Sequence, residues 1–333
     1  MKKIINLLSA GICLSLLITS TQVWAGTVPN VEKTKTYTKT YPITGSEKIS
    51  VNNQFGEVKI NAWSKNEVKV DVTIIAKSST DERAQEILDR ISIEDGKKGD
   101  GVYFKTNMKN ENKTKQEGKN YKDEKMEINY QVYMPTSNPL SLMNQFGPSI
   151  VPDMNGAVEL SSKFGTLTTG KLSNVKKVNV EFGSATIESI SGGSLDIKFS
   201  RAIINKLDGT VTATFEHCSG IKLVIENGTK ELTVASAFTT LYLDVTKNLS
   251  ANFDINTSFG GLSNKTDFDI KEESGHEGKK GNFNHSYSGK TGGGNSLMKI
   301  SSSFSQITLG HNLAMNIKEE NKDKKEKKKT TSS

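Results

Sequence analysis

The chain has 333 residues, a formal net charge of +7, 34% hydrophobic residues and two cysteines. That is enough for one large or two modest domains, with too few cysteines for a disulfide framework. The charge sits at the two ends: Lys2 and Lys3 at the start, and seven Lys against four acids from His311 onward, leaving +2 on the body, so a specific nucleic-acid partner is not expected.

Lys2 and Lys3 precede an apolar run over residues 4–18, and Val23-Trp24-Ala25 closes it with a small residue. Residues 1–25 therefore read as a signal peptide. The run is broken by Asn6 and Ser9 and is too short to span a bilayer. Cys13 lies mid-run and does not read as a lipidation site. No later segment could cross a membrane as a helix, so the mature chain is expected to be exported, to the periplasm, the cell surface or the medium. Residues 26–45 are rich in Thr and Lys and read as a loose leader.

Residues 46–135 read as a small α+β module. It opens with Val51-Asn52-Asn53-Gln54-Phe55-Gly56 and continues through Val58, Ile60 and Trp63. Residues 67–76 alternate, with Val68, Val70, Val72 and Ile74 on one face, as a half-buried strand does. A helix is expected from Ser79, with Glu82 completing a capping box and Ala84, Ile87, Leu88 and Ile91 as its apolar face. Strands are expected at 101–106 and 126–134, joined by a polar loop over 107–125.

The next stretch, 136–310, repeats one phrase. Phe146, Phe164, Phe182, Phe199, Phe215, Phe238 and Phe259 each follow an aliphatic residue by four: Leu142, Leu160, Val178, Leu195, Val211, Val234 and Ile255. Val51 before Phe55 and Ile300 before Phe304 obey the same rule. Positions −4, −2 and 0 alternate inward, then the parity slips at a glycine such as Gly147, Gly165 or Gly183. A third apolar position follows, Met154, Leu172, Ile190, Leu207 or Leu223, and then Gly192 or Gly209 at a further turn. Three short segments and three turns per repeat make one coil of a parallel, three-sided β-helix solenoid, right-handed by the usual crossover rule. The α+β module would cap its open N-terminal edge. In this reading the phenylalanines form a buried column, and Cys218 fills an inward slot beside Ala185 and Ala202. Residues 271–295 read as a long Gly-rich loop within the repeats. The tail, 311–333, reads as a disordered Lys-rich segment able to touch anionic surfaces weakly.

The strand–Phe-Gly–strand phrase, the Val-rich strand after Trp63, the strand ending Tyr133-Met134-Pro135 and the Gly-rich loop before the Ile300 phrase resemble a large bacterial family of exported adhesin-like proteins of unknown function. The resemblance covers roughly residues 46–310. It implies a β-helix and an envelope or surface location, and no activity. The family's Asp after Phe-Gly is here Glu57, Pro148, Thr166 or Ser184.

No catalytic, cofactor-binding or metal-binding residue is assigned from the sequence. Enzymes on β-helices need clustered carboxylates and aromatic platforms, and from Leu142 to Leu262 there is no Trp and one Tyr, Tyr242. Lys163, Glu181 and Lys198, in the column before the phenylalanines with Gln145 and Thr214, read as a charge ladder that fixes register. His276 and His285, near Glu272, Glu273 and Glu277, lack a recognised metal-ligand spacing. The expectation is a non-enzymatic adhesin or envelope scaffold that needs no cofactor and binds an unknown glycan or protein. The alternatives are a carbohydrate-active β-helix enzyme and an envelope stress or signalling accessory.

Overall fold

The computed structural model describes residues 31–99, 101–109, 124–273 and 283–315. The expected signal peptide and residues 110–123 of the expected 107–125 loop lie outside them, as does the tail beyond Met315. The fold is mainly β, with 21 strands in one hydrogen-bonded network and one helix among the described residues.

Its middle is a parallel ladder. β1 (Val31–Pro42), β2 (Lys48–Gln54), β3 (Val58–Ala62) and β4 (Glu67–Ser78) come first, then α1 (Asp81–Arg90), β5 (Ile91–Lys98), β6 (Gly101–Met108) and β7 (Lys125–Met134). The repeats supply β8 (Leu140–Gln145), β9 (Ser149–Val151), β10 (Met154–Lys163), β11 (Thr166–Glu181), β12 (Ser184–Lys198), β13 (Arg201–Glu216) and β14 (Gly220–Ala237). Each repeat strand pairs in parallel with the strand one repeat on. Leu142 lies beside Leu160, then Val178, Leu195 and Ala213; Met154 lies beside Leu172, then Ile190, Leu207 and Ile225. Both columns are buried, as the sequence pattern requires. Turns at Gly192 and Gly209 use φ of +70° and +68°, which favour glycine.

Three columns differ from expectation. Ala213, not Val211, continues the Leu160–Leu195 column, so the repeat is centred on His217 and Phe215 is the inward residue two positions earlier. The third apolar position of that repeat is accordingly Ile225, not Leu223. The phenylalanines themselves are not buried: Phe146, Phe164, Phe182, Phe199, Phe238, Phe259 and Phe304 are 45–53% exposed. Each stands at the corner, with φ between +49° and +58°, so its side chain turns outward where an extended residue would have turned in. The following glycine is needed for close approach. A Cβ on Gly165 would lie 2.0 Å from the Gly147 carbonyl oxygen, and one on Gly183 2.0 Å from that of Gly165.

At the N-terminal edge β2 pairs in parallel with both β8 and β6, and β3 with both β9 and β7. The Val51 phrase is thus a rung of the same ladder. Antiparallel strands finish the edge: β5 on β6, β4 on β7, and β1 on β4 over twelve residues. The expected loose leader is therefore mostly strand β1. Tyr37 and Tyr41 of β1 both donate to the Asp95 carboxylate. That bond and partial burial raise the Tyr41 hydroxyl to about 12. Helix α1 is capped by Thr80, one residue after the expected Ser79, whose hydroxyl accepts from the Arg83 N–H at 3.2 Å.

The C-terminal part supplies β15 (Leu241–Val245), β16 (Ala251–Ser258), β17 (Gly261–Asn264), β18 (Ile270–Glu272), β19 (Asn284–Thr291), β20 (Ser296–Ser303) and β21 (Gln306–Gly310). The last repeat does not stack at the end. β20 inserts between β14 and β16, parallel to both, and β21 lies between β15 and β17. The region expected as a long loop contributes β18 and β19, and β19 closes the β16 edge antiparallel. No described helix is long and apolar enough to cross a membrane.

Candidate functional site: an exposed aromatic ladder

The outward corners align into a column of ten rings. In space it runs Phe55, Phe146, Phe164, Phe182, Phe199, His217, Phe238, Phe304, Phe259, Phe283, with centroids 4.7–5.1 Å apart. From Phe55 through Phe259 neighbouring rings are tilted by no more than 9°. Nine steps at the strand spacing of about 4.8 Å make a stripe roughly 43 Å long. The spacing is set by the backbone: Phe146 N–H donates to Lys163 O at 2.9 Å, Phe164 to Glu181 at 3.0 Å, and Phe199 to Glu216 at 2.9 Å. A left-handed non-glycine residue costs about 1–2 kcal/mol. The chain accepts that strain at nine of the ten rungs, all but Phe283, and stacking offsets it.

One flank of the ladder is charged. Lys163 Nζ meets Glu181 Oε2 at 3.0 Å, and Lys198 Nζ meets Glu216 Oε2 at 3.2 Å. The expected charge ladder is present, with Glu216 taking the place assigned to Thr214. Hydrogen bonds from Asn179 and then Lys163 hold the Glu181 carboxyl below its ordinary range. The other flank is the column of residues that follow the rings, with hollows beside it at Gly56 and Gly147 and again at Cys218, Thr239, Gly260 and Ser305. In the later rungs small polar side chains replace glycine there: Gly183 N–H donates to Ser200 Oγ at 3.0 Å, Cys218 N–H to Thr239 Oγ1 at 3.1 Å, and Thr239 N–H to Ser305 Oγ at 3.0 Å. Cys218 belongs to this column and not to the Ala185–Ala202 column, although it is buried as expected. Burial pushes its thiol up, which disfavours the thiolate a nucleophile needs. His217, its sequence neighbour, is stacked outward in the ladder.

Of the loop residues weighed for metal, His276 and Glu277 lie outside the described residues. His285 Nδ1 lies 2.6 Å from Glu272 Oε1, a single pair; among the described residues no three His, Cys, Asp or Glu converge.

The sequence hid the site in one respect: a phenylalanine recurring in fixed phase with aliphatic residues looks like core. The signal that could have found it is the glycine immediately after, which marks the corner, together with His217, a polar ring in phase with the others.

No family model matches the chain, and no curated protein does. Solved structures with some likeness include a proposed adhesin from Bacteroides fragilis, 13% identical, covering 83% of this chain and 97% of its own, with a TM-score of 0.43. A proposed cell adhesion protein from Clostridium sporogenes is 14% identical, covers 84% of this chain and 100% of its own, and has a TM-score of 0.28. A proposed lipid-binding protein from Parabacteroides distasonis is 11% identical, covers 82% and 96%, and has a TM-score of 0.32.

Proposed function

We propose that this chain is an exported, non-enzymatic binding protein of the cell envelope, an adhesin or scaffold. In this reading its parallel rungs are coils of a β-helix, residues 46–135 cap one end, and the ring ladder is the contact surface. The observation that carries the reading is the ladder: a continuous aromatic stripe, apolar but for His217 and largely half exposed, held outward by a strained backbone at nine of its ten rungs. Contiguous exposed apolar surface on this scale marks interaction sites more often than chance, and repeated strain is kept where a function over-determines it. The rings present edges along the stripe, which suits an extended apolar partner better than a sugar that stacks on a ring face.

The test uses the full-length mature chain and a double variant, Phe164→Asn with Phe199→Asn, because Asn tolerates the left-handed corner. Both are assayed for binding to isolated envelope fractions. A tenfold or larger loss of binding with unchanged circular dichroism is expected. Unchanged binding by a folded double variant would refute the ladder as contact surface. Turnover of any polysaccharide by the purified chain would overturn the non-enzymatic reading in favour of the carbohydrate-active alternative.

A further inference from the structure

The ladder ends abruptly at Phe55, and what stands at the next rung is chemically different. β3 pairs with β7 so that Val58 lies beside Tyr130, and with β9 so that Val58 lies beside Ser149. Carried back three residues, the same registers set Phe55 beside Phe146 on one side and beside Glu127 on the other. The first is observed as stacked rings at 5.0 Å. The close approach of Gly56 to Ile128, where an added Cβ would lie 2.3 Å from the carbonyl oxygen, agrees with the second. A carboxylate therefore takes the rung where every other step of the ladder has a ring.

A hollow of about 700 Å³ opens at this end, lined by Phe55, Glu57, Thr73, Met126, Glu127 and Asn129 among others, with Glu57 and Glu127 as the only charged residues among the described ones that line it. Neither carboxylate forms a salt bridge among the described residues; Lys77, whose ammonium feels Glu127, is bonded to Glu32 at 2.7 Å. Asn129 Oδ1 accepts from the Glu57 N–H at 2.8 Å, which anchors the backbone beneath the Glu57 side chain. Two carboxylates without a salt bridge among the described residues, beside the terminal ring of a π-stack and with a thioether alongside, complement a flat cation: the ring attracts the positive face and the carboxylates accept its N–H groups.

We propose that this hollow is a subsite for the guanidinium of an arginine side chain on a partner polypeptide, which stacks on Phe55 and pairs with Glu127 and Glu57. A guanidinium fits better than an ammonium because it is planar, stacks on aromatic rings and donates in a fork. The inference goes beyond the contact-surface reading and does not need the middle of the ladder to bind anything.

The test is fluorescence anisotropy with full-length mature protein and three labelled peptides identical except at one residue: arginine, its neutral isostere citrulline, and lysine. The arginine peptide is expected to bind roughly tenfold more tightly than the citrulline one, in line with charge-assisted pairing. Glu127→Gln and Glu57→Gln should each erase most of that preference, and Lys163→Gln, on the far flank, should leave it intact. Phe55→Leu should weaken the arginine peptide several-fold while leaving the lysine peptide nearly unchanged; a matched melting curve for Glu127→Gln shows that the fold is retained. Equal binding of arginine and citrulline peptides, or a preference that survives both Glu→Gln variants, overturns the proposal. Equal arginine and lysine binding, insensitive to Phe55→Leu, reduces it to unspecific charge attraction and overturns the stacking geometry.

Discussion

Phe182 gives the sharpest check on the ladder. Its ring lies 5.0 Å from that of Phe164 and 4.8 Å from that of Phe199, is 46% exposed, and its φ is +54°. Removing it forfeits two stacking contacts at about 0.5–1.5 kcal/mol each. It also forfeits about half the burial of a phenylalanine side chain, roughly 1 kcal/mol. Phe182→Ala should thus cost roughly 2–4 kcal/mol, somewhat less than the removal of a buried phenylalanine. Alanine keeps the Cβ that makes φ +54° unfavourable, and glycine does not. Phe182→Gly should therefore be more stable than Phe182→Ala by about 1 kcal/mol, the reverse of the usual order in a strand. Urea unfolding monitored by circular dichroism, with equal m values for the two variants, gives the difference directly. If glycine proves equal to or worse than alanine, the residue is not held in a left-handed corner and the outward ladder is wrong.

Other outcomes follow from the flanks and the core. Lys163→Ala should change stability by no more than about 0.5–1 kcal/mol, because its pair with Glu181 is partly solvated. Since the Glu181 carboxyl is held below its ordinary value, its contribution is fully present above that value and is lost as pH falls through the lowered one; Glu181→Gln should flatten that part of an acid unfolding curve and leave neutral pH slopes alone. Ser162 Oγ is buried without a hydrogen-bond partner, in a column where the next rung carries Val180. Ser162→Val should raise stability by about 1 kcal/mol in the same urea assay, and a loss would mean the slot cannot take the added methyl. Cys218 should stay unmodified by a thiol reagent in native buffer and react on unfolding; prompt native labelling would contradict its burial.

Much of the architecture was legible because burial imposes its period on the sequence. The aliphatic residues Val51, Leu142, Leu160, Val178, Leu195, Val234, Ile255 and Ile300, each four before a ring, the alternating Val68–Ile74 strand and the Ile128–Met134 strand all stand where their spacing puts them, and their inward residues are buried. The outward turn of the rings is not legible because hydrophobicity does not reveal φ. Once a corner residue adopts the left-handed region, parity no longer says which way its side chain faces. The same blind spot shifts one repeat onto Phe215, since His217 is polar although it keeps the phase. β1 was missed for a different reason. With only Tyr37 and Tyr41 packed against the core, it is an edge strand, and its Thr and Tyr content carried the signal that its Lys content obscured. Column membership, finally, says that the Ile300 phrase is a rung, but nothing in it specifies which two rungs it lies between.

The strand pairings tie the β16–β17 rung to the main stack through β20 and β21, which come later in the chain. Until residues 296–310 arrive, β14 and β16 are two unsatisfied edges separated by the width of one missing strand, about 10 Å at the ordinary spacing. A chain cut before Ser296 is then a receptor for its own absent segment, and a synthetic peptide of residues 296–310 is its natural complement. In a population of intact chains the same vacancy invites the corresponding strand of a neighbour, so strand exchange between molecules has its preferred point of entry here.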